Sequence, residues 1–329
     1  MYREDRRTFL KKGIAIGGAL LGWPLAGSGR SLFENTGRAR VVISKDEALR
    51  DVRGDLDVER VEGMLDRGMK ALFDLPSVEE AWRALIRPDD TVGIKVNGLA
   101  GRGMSTKPEI VQGIIRKLER IGVQRRRIIV WDRLTQDLTR AGYEPNVGGG
   151  DIQCYGNDVG GFDRRLVVYG TIGSLLSRIL VDRCSVVINV PILKDHSICG
   201  VTVGMKNFFG AIHNPNKYHM DVGDPYIADL NALDVIRKKN VLTVVDAISA
   251  QYEGGPPYMP QWSWKFNGIL IGTDPVAMDY TSWQIVERKR AEKGLKSLKE
   301  ADREPTYIAT AADKRLGTDD PSKIEVVTT

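Results

Sequence analysis

The sequence predicts an open, doubly wound α/β domain with a mostly parallel sheet and helices on both faces. Three observations carry this. Short apolar runs alternate with amphipathic stretches from about residue 40 to residue 290. The apolar runs are continuous, as expected of strands covered on both sides, where a half-exposed strand would alternate. Polar functional groups follow one run after another, where ligands bind in such sheets.

In chain order, residues 31–40 are a polar lead-in and "RVVIS" from Arg40 reads as the first strand. "VERVEGMLDRGMKALF" (58–73) spaces its apolar residues as an amphipathic helix, and a shorter helix over 78–86 is started by Pro76-Ser77. "DTVGIKV", the glycine-rich "NGLAGRGMSTK", a helix opened by Pro108 and closed by Gly122, and "RRIIVWD" make a strand–helix–strand unit. "RLVVY" then reads as a strand, 172–180 as a helix and "CSVVINV" as a strand. A helical stretch ending in "ALDVIRKKN", the strands "VLTVVD" and "GILIG", and a closing helix from "DPVAMD" complete the pattern.

With 329 residues, 42% hydrophobic and 28% charged, the composition is that of a globular chain able to bury a sizeable core. The formal charge of +5 is concentrated at the front, where Arg3, Arg6, Arg7, Lys11 and Lys12 outnumber Glu4 and Asp5; the rest is close to balance. A body so nearly neutral, without a nucleic-acid-binding signature, argues against a nucleic-acid partner. "DRRTFLKKGIAIGGALLGWPLAGSGRS" has the layout of a twin-arginine export signal over residues 1–28, followed by a single domain over 29–329. It predicts a periplasmic or other extracytoplasmic location and the twin-arginine translocase as a transient partner. A retained amphipathic anchor is the competing reading. The apolar stretch from Gly13 to Ala26 is shorter than the about 20 residues that span a bilayer, so no stable transmembrane segment is expected. Cys154, Cys184 and Cys199 form no CxxC and no iron–sulfur or zinc spacing.

The polar residues after the apolar runs nominate a site. Asn97, with Lys95 inside its strand, follows "VGIKV"; Asp132 follows "IIVW"; Lys194, Asp195 and His196 follow "VVINVPIL"; Asp246 follows "LTVV"; Thr273 and Asp274 follow "GILIG". The loop after Val96 could let the backbone approach an anion, with Lys107 beside it, or could be a glycine-dependent turn. Lys206-Asn207, between Gly204 and two phenylalanines, points to a cleft or to solvent. His196, His213 and His219, the only histidines, are separated by seventeen and six residues, which matches no standard metal spacing, although His219 and Asp221 could both reach an ion from an extended loop. Asp246, Glu253, Asp274 and Asp279 could serve as acid–base groups or hard-metal ligands, while Asp274-Pro275 is equally an ordinary helix start.

Together "VGIKVN", "NVPILKDHSICGVTVGMKNFFG" (with Asn189, Thr202 and Gly210), "DAISAQYEGGP" and "NGILIGTDPVAMD" resemble the family catalogued as domain of unknown function 362, over roughly residues 90–290. The resemblance implies a fold and a site at these motifs but no established reaction. Many relatives carry a ferredoxin-type cysteine cluster, absent here, and the family often has Thr where this chain has Asp195. The expected function is a small anionic ligand or cofactor held at the strand ends, with redox chemistry favoured by the export route and by the cluster-bearing relatives. His196, Lys194 and Asp246 are the expected catalytic groups, and Lys95, Asn97, Lys206, Asn207, Glu253 and Asp274 the expected binding groups. His213 and His219 are expected at a lid or behind the site. Metal-dependent, hydrolytic-type chemistry on His and Asp, and a non-enzymatic cofactor-binding or accessory role, are the alternatives; the sequence names no cofactor or metal.

Overall fold

The computed structural model describes residues 38–51 and 53–329, so the twin-arginine-like segment lies outside the described residues. Among the described residues twelve strands are formed: β1 (Ala39–Lys45), β2 (Val92–Val96), β3 (Ile128–Asp132), β4 (Gln153–Gly156), β5 (Val167–Tyr169), β6 (Ile172–Ser174), β7 (Val186–Val190), β8 (Ile192–His196), β9 (Gly200–Thr202), β10 (Asn240–Gln251), β11 (Ser263–Gly272) and β12 (Ile324–Thr328). The main sheet runs β12-β1-β11-β10-β7-β2-β3-β4, with β8 paired to β10 and β9 paired to β8. From β10 to β4 every neighbour is parallel, and β12 is parallel to β1. Only β11 in that row runs against its neighbours.

Neighbouring residues of one strand enter different cores, which is the two-faced burial the continuous apolar runs imply. Val41, Ile129, Val187, Val245 and Leu270 join one hydrophobic cluster, and Val42, Val130, Ile188, Val244 and Ile271 the other. The second cluster is closed by the helices Val58–Phe73 and Pro108–Arg120. Asp57 starts the first of these by accepting hydrogen bonds from Glu59 N and Arg60 N. The first cluster is closed by the helices Tyr226–Asn231, Pro275–Glu292 and Tyr307–Asp313.

Two expectations change. "RLVVY" does not join the main sheet: β5 pairs only with β6 in a hairpin whose Leu166, Val168 and Tyr169 are exposed. The expected helix over 172–180 is strand β6 followed by a π-helical turn at Ile179–Arg183, because the backbone of 172–177 is taken up in pairing, Ile172–Ser174 with β5, Leu176 with Ile212 and Ser177 with Phe162. No described helix is long and apolar enough to cross a membrane.

Candidate functional site

The parallel strands β2, β3 and β7 point their carboxyl ends at one place, and β7 does not stop there. At Pro191 the chain leaves β7 and continues as β8, which docks farther along β10, with Asp246 N donating to Pro191 O at 2.8 Å. This carries Lys194 and His196 past the end of the β7 ladder. Both line a cavity of about 250 Å³ together with Asn97, Thr202, Lys206 and His219. Asp195, on the opposite side of the pleat, is fully buried and accepts from Gly255 N at 2.9 Å, with Arg303 Nη1 at 3.3 Å.

Lys206 and Asn207 lie in a single helical turn, Gly204–Asn207, pinned from below by Asp279, whose carboxylate accepts from Met205 N at 3.3 Å and from Tyr307 OH at 3.2 Å. Asn207 is a buried hub. Its Oδ1 accepts from Lys95 Nζ (3.3 Å) and Asn97 Nδ2 (3.4 Å), and its Nδ2 donates to Asn189 Oδ1 (2.8 Å). Gly210 is required by close approach, since a Cβ there would lie 2.8 Å from both Lys95 Nζ and Asp132 Oδ1.

The lysines divide into two kinds. Lys95 Nζ uses all three of its donors, on Asp132 Oδ1 (2.6 Å), Val96 O (2.7 Å) and Asn207 Oδ1. Asp132 uses its other oxygen to accept from Gly98 N at 2.7 Å. Lys95 is therefore part of the frame and has no donor left for a ligand, contrary to its expected role. Lys194 and Lys206 are buried, and neither has a carboxylate partner among the described residues. Lys194 donates to Pro256 O (3.0 Å) and Met104 O (3.4 Å), and Lys206 Nζ stands 3.1 Å from His219 Nε2 and 4.7 Å from the Phe209 ring centre. Burial pulls Lys206 down to about 8, and burial together with the charge of Lys206 pulls Lys194 down to about 7.

The histidines also differ from expectation. His196 Nδ1 accepts from Ile198 N and Cys199 N, both at 3.1 Å, so the ring hydrogen sits on Nε2. Burial, reinforced by Lys206, His219 and Lys194, holds its pKa down at about 2. Burial thus favours the neutral ring, which offers Nε2–H as a hydrogen-bond donor in the cavity wall. His219 stacks on His196 with ring centres 5.4 Å apart, and its Nδ1 donates to Pro215 O at 3.1 Å, which leaves Nε2 to accept from Lys206. Burial and Lys206 hold it at about 4. His219 is thus a wall of the cavity. His213 faces a neighbouring cleft of about 350 Å³ that shares Arg133, Pro215 and Asn216 with the cavity, and stands edge-on to Phe162.

His196, Cys199 and His219 place their ligand atoms within 4.8 Å of one another, the one metal-like group among the described residues. The donor set fits a cation poorly. His196 Nδ1 is occupied by two backbone N–H groups, its Nε2 carries hydrogen, and the lone pair of His219 is taken by an ammonium. The His196-x-x-Cys199 spacing that makes the group was present in the sequence, but it is backbone bonding at Nδ1 that settles its use.

Besides Lys95, three expected residues stay out of the cavity. Asp246 lies mid-strand in β10, where its carboxylate accepts from Lys107 N (2.8 Å) and Ile248 N (3.0 Å) and fastens the glycine-rich loop; burial raises it to about 6. Glu253 is ion-paired with Arg290 and Arg303. Asp274 follows β11, whose reversed direction delivers its carboxyl end beside the amino end of β10, away from the cavity; there it caps the helix Pro275–Glu292 through Val276 N and Ala277 N, both at 2.9 Å. Residues the sequence reading did not single out, Arg133 and Asp137, form a 3.5 Å ion pair in the cavity wall. Two buried acceptors of the wall, Asn97 Oδ1 and Thr202 Oγ1, have no hydrogen-bond partner among the described residues.

These features define a class: an α/β protein with a lysine-lined cavity at the carboxyl ends of its parallel strands. The chain belongs to the family described as Domain of unknown function (DUF362), whose model matches residues 92–284 and so covers most of the frame and every residue of the cavity. It is also similar to the crystal structure of a protein from Thermotoga maritima, at 10% identity and a TM-score of 0.40, over 73% of this chain and 60% of that one. The chain thus spans 60% of the length of that protein. No curated protein matches it.

Proposed function

We propose that the protein binds a small anion, or the anionic end of a larger cofactor, in the cavity bounded by Lys194, Lys206, His196 and Asn97, and acts on it as an enzyme. One observation carries the reading: two buried lysines share a cavity and neither has a carboxylate partner among the described residues. Uncompensated buried charge is costly, and a bound anion removes that cost. His196 Nε2–H supplies a neutral donor beside them, and Lys194 and Lys206, at about 7 and 8, are the groups that exchange protons at neutral pH. A cavity of about 250 Å³ sits below the usual range for drug-sized ligands, which favours a compact ligand. A phosphate- or carboxylate-bearing redox cofactor would place only its anionic end there. The twin-arginine-like front segment supports export to the periplasm, with folding and ligand capture completed before translocation.

The test is calorimetry of the untagged protein with phosphate, lactate and pyruvate at pH 7.5, in two buffers of different ionisation enthalpy. An anion raises the pKa of both lysines, so binding is expected to take up protons and to be lost in Lys206→Met. Absence of binding by all three, with no bound mass in native mass spectrometry, would reject the reading.

A further inference from the structure

Lys194 Nζ has two hydrogen-bond acceptors, the carbonyl oxygens of Pro256 and Met104. A protonated amine has three N–H groups, and one would point into the cavity unpaired. A neutral amine has two, matching the two carbonyls, and its lone pair then faces the cavity. Around it stand Lys206 on the turn Gly204–Asn207, Asp195 and His196 on its own strand, and Asp132 at the end of β3; Arg133, Asp137 and His219 complete the charged and titratable lining. Among these, Asp132 is bound to Lys95 and Asp195 to Gly255 and Arg303, so neither carboxylate pairs with the Lys194 ammonium. Lys206 is the cation left to face the ligand.

We propose that Lys194 is a nucleophile that forms an imine with a small carbonyl compound carrying an anionic group, an oxo acid in the simplest case; this rests on the anion-binding reading above. The amine lone pair attacks the carbonyl carbon, and the displaced N–H proton passes to the oxygen to give a carbinolamine. Its hydroxyl leaves as water with a proton from the Lys206 ammonium as the C=N bond forms. A protonated imine on Lys194 and a neutral Lys206 remain. His196 Nε2–H is the neutral donor available to the carbonyl oxygen during attack.

The full chain is incubated at pH 7.5 with glyoxylate, pyruvate or 2-oxoglutarate and sodium cyanoborohydride, and the reduced adduct is located by peptide mass mapping. Lys194 is expected to label on the order of a hundredfold faster than exposed lysines, whose amines are almost wholly protonated at that pH. Lys194→Met, of similar length and without charge, is expected to fold normally by circular dichroism and to lose the adduct. Lys206→Met is expected to move the midpoint of the labelling-rate pH profile upward, because it removes a charge that holds Lys194 deprotonated; a merely structural role for Lys206 would leave that midpoint in place. If lactate and pyruvate bind in calorimetry but only exposed lysines label, the imine proposal is overturned and anion binding stands. If neither anion binds and Lys194 does not label, both readings fall.

Discussion

Lys95 and Lys194 occupy matching places in the fold and have opposite fates. Each is completely buried near the carboxyl end of a parallel strand, and burial lowers the pKa of each. Lys95 meets Asp132 at 2.6 Å and fills its remaining donors with Val96 O and Asn207. Lys194 meets two carbonyls and no carboxylate. What separates a structural lysine from a reactive one here is the counterion, since burial is common to both. Lys95 holds the end of β2 to the end of β3, whereas Lys194 lines the cavity with two carbonyl partners among the described residues.

The comparison can be broken most sharply at Asp132. Asp132→Asn leaves Lys95 buried and unpaired, and is expected to lower unfolding stability by about 3–5 kcal/mol in urea titrations. Lys194→Met should act in the opposite direction. The folded pKa of Lys194, about 7, lies below the unfolded value, so between pH 7 and about 10 the unfolded chain holds a proton that the folded chain does not. Wild-type stability therefore rises with pH across that window, by on the order of a few kcal/mol, and the difference between wild type and Lys194→Met shrinks accordingly. Urea midpoints at pH 6.5 and pH 9.5 measure both slopes; equal slopes would mean that Lys194 is not held deprotonated. Asp274→Ala removes a helix cap distant from the cavity and is expected to cost about 1 kcal/mol while calorimetric anion affinity stays unchanged. The smallest effect is expected of His219→Phe, which keeps a ring against His196 but takes the acceptor from Lys206; anion affinity should change by about a few-fold, read by the same calorimetry.

The parallel half of the sheet was legible in the sequence because its strands are continuous apolar runs whose ends carry Asn97, Asp132, Lys194 and His196. The antiparallel strand was not. "GILIG" reads the same in either direction, so nothing local shows that β11 runs backward and takes Asp274 to the end of the sheet opposite the cavity. Asp246 was misplaced for a related reason. β10 continues to Gln251 because β8 pairs with its second half, and that pairing joins residues more than fifty positions apart. The exclusion of β5 from the main sheet left no periodicity signal, since Val167–Tyr169 is as apolar as a core strand and yet its Val168 is exposed. The neutrality of His196 was equally hidden, because it follows from two backbone N–H groups and the lysines around the ring rather than from residue type.

The change of partner at Pro191 has a consequence for how such a protein can diversify. β10 acts as a rail of twelve residues, holding β7 along its first half and β8 along its second. The first half anchors the parallel strands, while the second half carries the segment from Ile192 to His219 that supplies ten of the sixteen residues lining the cavity. That segment serves two masters: Leu193, Val201, Val203, Met205, Phe208 and Tyr218 are buried in the first hydrophobic cluster, while Lys194, His196, Thr202 and Lys206 line the cavity. A change of ligand is therefore confined to the cavity-facing positions, because their neighbours along the same chain hold the core together.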